Sequence, residues 1–421
     1  MNLTFTLDGL RRNKGVVALC ATIFFSMLGQ GAVFPALPLF AKEFGVGIVL
    51  VGLAVGLGGT GKLLVGLPSG LLAQKYGRRH VLVGSIVLST VGTAFMGFSG
   101  TFVQLILLRT MVGIGHGAFQ VGASIYLRDV STLQNRARYQ SLRELSILLG
   151  VAMGPLIGGI MAEVWGLRAP FYFQACMTAL AALISLFYIP ETKHLSGVEQ
   201  PASTSRSLNI QDDVKRTFLK VLLNPGLIVV GLFQLMVVTN RQGGRYSLMP
   251  LFGAEKGFGP GELGVFITIT HLLQFFAVIV GGILADKFGR KFPIMPASIV
   301  TLMGILVFIY GDTYLLLAFS GLLLGIGEGL SGSPTAAFFA DMAPRGLEGV
   351  TMGLFSSYAG TGALFGAMFL GALADFWSFN RALWVDGLLL VIAGLLVVVV
   401  ARETANLGDA RSRSSVKTEV Q

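Results

Sequence analysis

The chain has 421 residues, of which 53% are hydrophobic and 12% charged, and its net charge is +10. That charged share is about half the usual one for a soluble domain, so the chain cannot cover a water-facing surface with polar groups. The composition excludes an ordinary soluble enzyme or nucleic-acid-binding domain and points to the bilayer as solvent. Only helices and closed barrels satisfy every backbone polar group in hydrocarbon. The apolar runs here continue over about 20 residues, the length of a spanning helix, and lack the roughly 10-residue alternation of a barrel strand. The expected fold class is therefore an all-α membrane protein.

Apolar runs bounded by charge, Gly or Pro predict twelve spans, taken below in chain order. The first half holds 16–41, 48–72, 80–100, 102–128, 142–165 and 169–189. The second holds 226–252, 262–285, 293–312, 314–341, 350–374 and 381–401. Span one follows Arg11, Arg12 and Lys14 and resembles a signal peptide in that respect, but it is too long for one and lacks the usual small-residue cleavage site. Cys20 and Cys176 both lie inside apolar runs, which suggests neither a disulfide framework nor a metal site. The stretch 190–225 carries Pro201, the cluster Ser203, Thr204 and Ser205, and the basic residues Lys215, Arg216 and Lys220. It reads as a linker, with room for a short surface helix near 210–222. The predicted organisation is a six-helix bundle over 1–189, the linker 190–225, a second bundle over 226–402, and a tail over 403–421.

Lys and Arg set the orientation. The N-terminal tail, the even-numbered connections and the C-terminal tail hold most of them, including Lys75, Arg128, Arg136, Arg138, Arg143, Lys287, Lys291 and Arg345. The opposite side has Lys42, Arg168, Lys256 and Arg381. This asymmetry predicts both termini in the cytoplasm.

Sliding the chain against itself by 212 residues aligns the two halves without gaps. Gln30-Gly31 meets Gln242-Gly243, Lys75 meets Lys287, and Gly113-Ile114-Gly115 meets Gly325-Ile326-Gly327. Asp129 meets Asp341, and Trp165 meets Trp377. A single offset from span one to span five implies duplication of a six-helix unit. Parallel repeats of this kind rock about a central site in alternating access.

The loop after span two runs from Gly70 through Lys75, Gly77, Arg78 and Arg79 to His80, and its copy runs from Gly282 through Asp286, Lys287, Gly289 and Arg290 to Phe292. Gly70 and Gly282 are expected to permit close helix packing, and Gly77 and Gly289 a tight turn. Asp129 and Asp341, ending spans four and ten, are the natural partners of the basic pairs. Span four places Arg109 before Gly113, Gly115 and Gly117, and span five reads Gly150, Gly154, Pro155, Gly158, Gly159. Small residues at that spacing let two helices touch, and Pro155 is expected to kink the span.

These strings resemble the major facilitator superfamily: its repeated loop signature, its span-four Arg-then-Gly pattern, and the span-five Gly-Pro string of its antiporters. Pro190-Glu191-Thr192 after span six is similar to the family as well. Gln74 stands where the first family signature has Asp. The resemblance covers nearly the whole chain and is nearest to the drug/proton antiporter branch. It implies a twelve-helix transporter of the cell membrane, with the loop signatures acting as gate latches. The string Gly56 to Lys62 imitates a phosphate loop, but Leu63 replaces the needed Ser or Thr and no strand precedes it.

Ionisable residues inside spans are the default site candidates. They are Lys62, Arg109, Glu144, Arg241, Arg245 and Glu328, with His116 and His271. Gln30 and Gln242 occupy equivalent places, as do Lys62 and Gln274, and His116 and Glu328. Arg241 and Arg245 are four apart and share a face of span seven. Two readings of Glu328 stand side by side: a proton carrier, with His116 able to share the role, or a neutraliser of the arginines together with Glu144. Members of the branch that this chain resembles often place an acid in span one, and this chain has none there. If each acid pairs once, two cations remain, which predicts a cavity for an anionic or zwitterionic solute with Arg241 and Arg245 as contacts. The expected function is proton-coupled export of a small organic solute, the alternative being uptake by symport or uniport. No enzyme activity, metal or organic cofactor is expected. The expected partners are the solute, protons from a gradient and the lipid bilayer, with the carrier working as a monomer and without nucleic acid.

Overall fold

The computed structural model describes residues 14–131, 135–192, 223–344 and 347–404, except for a few side chains such as those of Lys62 and Gln74. The helix expected near 210–222, the linker residues 193–222 as a whole and Arg345 lie outside the described residues. The described chain is helical, with no strand among the described residues. All twelve predicted spans are present. The first six are Lys14–Val33 with Ala36–Glu43, Ile48–Tyr76, Arg78–Met96, Phe102–Val130, Arg136–Trp165 and Ala169–Tyr188. The last six begin with Pro225–Thr239, which continues through Asn240–Leu248 and Met249–Glu255. Pro260–Phe288, Ile294–Tyr310 and Tyr314–Asp341 follow. Span eleven is Glu348–Thr361 continued through Gly362–Gly366 and Ala367–Phe376, and span twelve is Phe379–Val400.

The chain groups into two compact units, Met1–Thr204 with Gly253–Thr268, and Ser205–Phe252 with Ile269–Gln421. The start of span eight thus groups with the first unit, whereas the sequence division placed all of it in the second bundle.

Why these residues form spanning helices is visible in their surfaces. Leu107, Val164, Phe187, Leu315, Phe376 and Val399 are exposed where a soluble protein would carry polar groups. Such wide apolar exposure is stable only against hydrocarbon. Buried hydroxyls bond back into their own helices, as Thr22 does to the Ala18 carbonyl, Thr178 to Gln174 and Thr301 to Ala297. This removes the cost of an unpaired polar group away from water. Helix starts are capped by Thr101, which accepts from the Gln104 N–H, and by its counterpart Thr313, which accepts from the Leu316 N–H. Each unit has its own apolar core. In the first it includes Leu19, Ile23, Phe119 and Tyr126; in the second, Val230, Phe233, Phe338 and Val397.

Glycines set the closest approaches. Span five lies against span one through Gly150, Gly154 and Gly158, where an added methyl would strike Met27, the Leu28 carbonyl and the Ala32 carbonyl. Gly159 instead faces Pro260, Gly261 and Gly264. The helix continues through Pro155. Gly113 is held against the Leu57 carbonyl, and Gly325 against that of Thr270. One expectation fails: Gly70 has open space around it and Gly282 only an ordinary contact with Ser333. Gly77 and Gly289 do make the expected turns, both at φ +102°.

Spans seven and eleven depart from regular α-helix where they meet. Asn240–Leu248 and Gly362–Gly366 are π-helical. Gly243 packs on Ala367, and Gly366 on Thr239. A π turn bonds i to i+5 and commonly marks functional sites. Here it re-aims the polar run Asn240, Arg241, Arg245, Tyr246 within an otherwise apolar span.

Candidate functional site

The second unit carries the densest cluster of buried polar groups. Arg241 Nη1 donates to Glu328 Oε1 at 3.1 Å, and Arg245 Nη1 donates to Glu328 Oε2. Arg245 is buried, Glu328 is buried, and the Arg241 side chain is 34% exposed. Beside them Tyr246 Oη lies 2.6 Å from His271 Nε2, and His271 Nδ1 lies 3.1 Å from Gln274 Oε1. Gln242 is half-buried on the same π segment. Arg245 Nε and Nη2 have no hydrogen-bond partner although both are buried. A guanidinium in a membrane interior needs a carboxylate or backbone carbonyls, and one carboxylate can take two donors, one per oxygen. So Glu328 serves both arginines rather than one.

Two groups not anticipated from the sequence complete this cluster. Asp386 of span twelve is 2% exposed and accepts from Asn240 Nδ2 at 2.6 Å. Asp386 Oδ2 also lies against Gly244. A lone acid inside an apolar run is a signal in itself. Asn240 gives no such signal, since one neutral amide in a span is unremarkable.

In the first unit Arg109 is buried, and its Nε donates to the Ala54 carbonyl at 3.2 Å. Among the described residues no carboxylate forms an ion pair with it. It closes on a small cavity with Gln30, His116 and Gln174. Gln174 is buried and its Oε1 lacks a partner. His116 Nε2 is 3.4 Å from the Gln120 amide. Gln120 Oε1 accepts from Arg143 Nη2 at 2.6 Å, and Arg143 Nη1 donates to Glu144 Oε1 at 2.6 Å. Two expectations change here. Arg143, read as a loop cation, is buried. Glu144 neutralises Arg143 and not an interior cation, and its side chain is 49% exposed. It lies at the exposed edge of the first-unit network, joined to His116 through Arg143 and Gln120. The side chain of Lys62 lies outside the described residues.

The loop signatures form the same network twice, once in each unit. Arg78 Nε donates to Asp129 at 2.7 Å, and Arg290 Nε to Asp341 at 3.0 Å. Glu191 accepts from the backbone N–H groups of Arg78 and Arg79 at 2.9 and 3.2 Å. Glu403 does the same for Arg290 and Lys291 at 2.9 and 3.1 Å. The Arg79 guanidinium donates to the Leu186 carbonyl, as Lys291 Nζ does to that of Val398 at 3.0 Å. Glu191 thus caps the start of span three and Glu403 the turn that leads into span nine, and each cation closes the end of the last span of its unit. The Glu403 partner was missed in the sequence, although Glu403-Thr404 repeats Glu191-Thr192 at the same offset.

The two copies differ in burial. Arg78 and Asp129 have side chains 6% and 5% exposed, against 22% and 35% for Arg290 and Asp341. Burial works against the Arg290 charge, but its hydrogen bonds to Asp341 and Asp286, the latter at 2.5 Å, outweigh it and raise the pKa of this guanidinium above its ordinary value. Breaking a buried pair costs roughly 3–5 kcal/mol, and an exposed one about 0.2–1 kcal/mol. Asp129→Asn is therefore expected to lower the thermal unfolding midpoint clearly more than Asp341→Asn, measured on detergent-purified protein. Equal shifts would contradict the burial difference.

Comparison with known proteins agrees with this architecture. A sequence model of the Major Facilitator Superfamily matches residues 19–259 and 241–419. Multidrug resistance protein 2 of Bacillus subtilis is 25% identical over 394 residues, 91% of this chain and 94% of that protein. Quinolone resistance protein NorA of Staphylococcus aureus is 25% identical over 368 residues, 86% of this chain and 90% of that protein. Among solved structures, a D-xylose–proton symporter superposes with a TM-score of 0.72 at 17% identity, covering 92% of this chain and 98% of the other. With matches spanning both repeats and twelve helices in the expected order, the chain belongs to the Major Facilitator Superfamily and is a multi-pass membrane transporter.

Proposed function

We propose that the protein is a proton-coupled exporter of small organic solutes, working by alternating access in the cell membrane with both termini in the cytoplasm. The observation that carries this reading is the buried Glu328 held by Arg241 and Arg245 on a π-helical stretch of span seven. A carboxylate so placed exchanges a proton only when something else occupies its cations. An anionic or amphipathic solute approaching the partly exposed Arg241 is such a competitor, so solute binding and protonation of Glu328 are linked. Kinship along most of the chain with multidrug and quinolone resistance proteins supports export. In the first unit Arg109, Gln30 and His116 line their own small polar cavity. The carrier acts as a monomer, with protons as its only co-substrate and no organic cofactor or metal.

Uptake by symport is the second reading, favoured by the shared fold of the D-xylose–proton symporter. Whole cells separate the two. For an exporter, a protonophore raises accumulation of a quinolone or dye in expressing cells toward the level of cells lacking the protein. Accumulation that depends on the protein and collapses with the protonophore would establish uptake instead.

A further inference from the structure

Glu328 is not the only acid buried in the second unit. Asp386 sits one-third of the way along span twelve, 2% exposed, and accepts from the Asn240 amide at 2.6 Å. Among the described residues no Lys, Arg or His nitrogen lies within 4.0 Å of it. An ionised carboxylate in a membrane interior demands a cation or several donors, and one amide is too little. The position repeated in the first unit supports a neutral group: at the 212 offset Asp386 corresponds to Gln174, which is also buried. Gln is close in shape and donor pattern to a protonated carboxyl group.

The nearest charge able to change this is Arg245. It stands on the same π segment as Asn240 and Gly244, both of which touch Asp386. One of its nitrogens is given to Glu328, while Nε and Nη2 are buried and unpartnered. Other charged or titratable groups on the packed elements are Arg241 and Tyr246 of span seven, Asp375 of span eleven, and Tyr310 at the exposed end of span nine. Arg381, on span twelve itself, is exposed. Among all of these, only Arg245 combines burial, charge and spare donors.

We propose that Asp386 is a second proton-binding carboxylate of the carrier, neutral while Arg245 serves Glu328 and ionised when Arg245 turns to it. The exchange balances simply. Glu328 gains a proton and releases Arg245, Arg245 swings its free edge to Asp386, and the Asp386 O–H proton passes to water. The π segment supplies the motion, because its surplus residue can shift without breaking the span. This deepens the proton-coupled reading above and names where a second proton resides.

The test is infrared spectroscopy of the purified protein at neutral pH, without substrate or gradient, following the protonated-carboxyl C=O band. The wild type is expected to show a band that Asp386→Asn removes, an isosteric change that keeps the contact with Asn240. Glu328→Gln, which deletes a different acid, is expected to remove the same band by releasing Arg245 to Asp386. A spectrum unchanged by Asp386→Asn overturns the proton site. A band that persists at full intensity in Glu328→Gln overturns the sharing of Arg245, and the proposal with it. Because the readout needs no transport, its failure is distinct from failure of the export reading. A band that behaves as stated, with no gradient-driven flux, would leave Asp386 a proton site in a carrier that is not an exporter of this kind.

Discussion

Glu328→Gln is expected to abolish pH-gradient-driven transport, by at least a hundredfold in initial rate, while leaving a folded protein. Gln keeps an oxygen for one guanidinium and cannot cycle a proton. Arg245→Ala is expected to be worse. Arg245 is 1% exposed, and its loss removes a guanidinium that the buried Glu328 depends on. Deleting one partner of a buried pair costs roughly 3–5 kcal/mol, enough to erase much of the 5–15 kcal/mol typical of a folded domain. Lys at 245 restores the charge but not the two-edged geometry, so it should recover stability more than rate. The check is paired: initial flux in proteoliposomes and the unfolding midpoint in detergent. Wild-type flux from Glu328→Gln would remove this residue from the coupling pathway.

The second large effect is steric. Gly158→Ala is expected to prevent recovery of monodisperse protein, because its methyl group would fall on the Ala32 backbone carbonyl of span one. Ordinary overpacking costs about 1–3 kcal/mol when side chains can yield, and here rigid backbone stands in the way. Gly70→Ala is the informative control. It belongs to the loop signature, yet has open space around it, so it should stay within about 0.5 kcal/mol of wild type. Size-exclusion profiles and thermal midpoints of both variants decide. A stable Gly158→Ala protein would mean spans one and five are not held by this contact.

The spans were legible because bilayer solvation forces one pattern, long apolar runs closed by charge. Gly77 and Gly289 were legible because a sharp turn at a repeated place needs a residue free of a Cβ. The pairing of Arg78 with Asp129 and of Arg290 with Asp341 followed from their positions at adjoining helix ends. The span-five glycines were legible from their spacing, and Gly150, Gly154 and Gly158 do line the contact with span one, while Gly159 faces the start of span eight.

The interior charges were only partly legible. Counting one cation per acid assumed that Glu328 pairs once, whereas its two oxygens take two guanidiniums. Glu144 lay in an apolar run yet serves Arg143, since a residue near a helix end can face outward. Asp386 could have been found as the single acid of span twelve. What the sequence does not carry is the π geometry of spans seven and eleven, which occurs where Gly243 packs near Ala367 and changes which polar side chains of 240–248 point together. Gly70 misled for the opposite reason: a small residue permits close packing but does not require it.

The most direct measurement is solute flux in proteoliposomes under an imposed pH gradient, with wild-type protein and with Glu328→Gln. A quinolone carried against its own gradient when protons flow the other way, with the variant silent, is the predicted result. Flux that ignores the pH gradient, or solute moving in the same direction as the protons, would contradict the proton-exchange account.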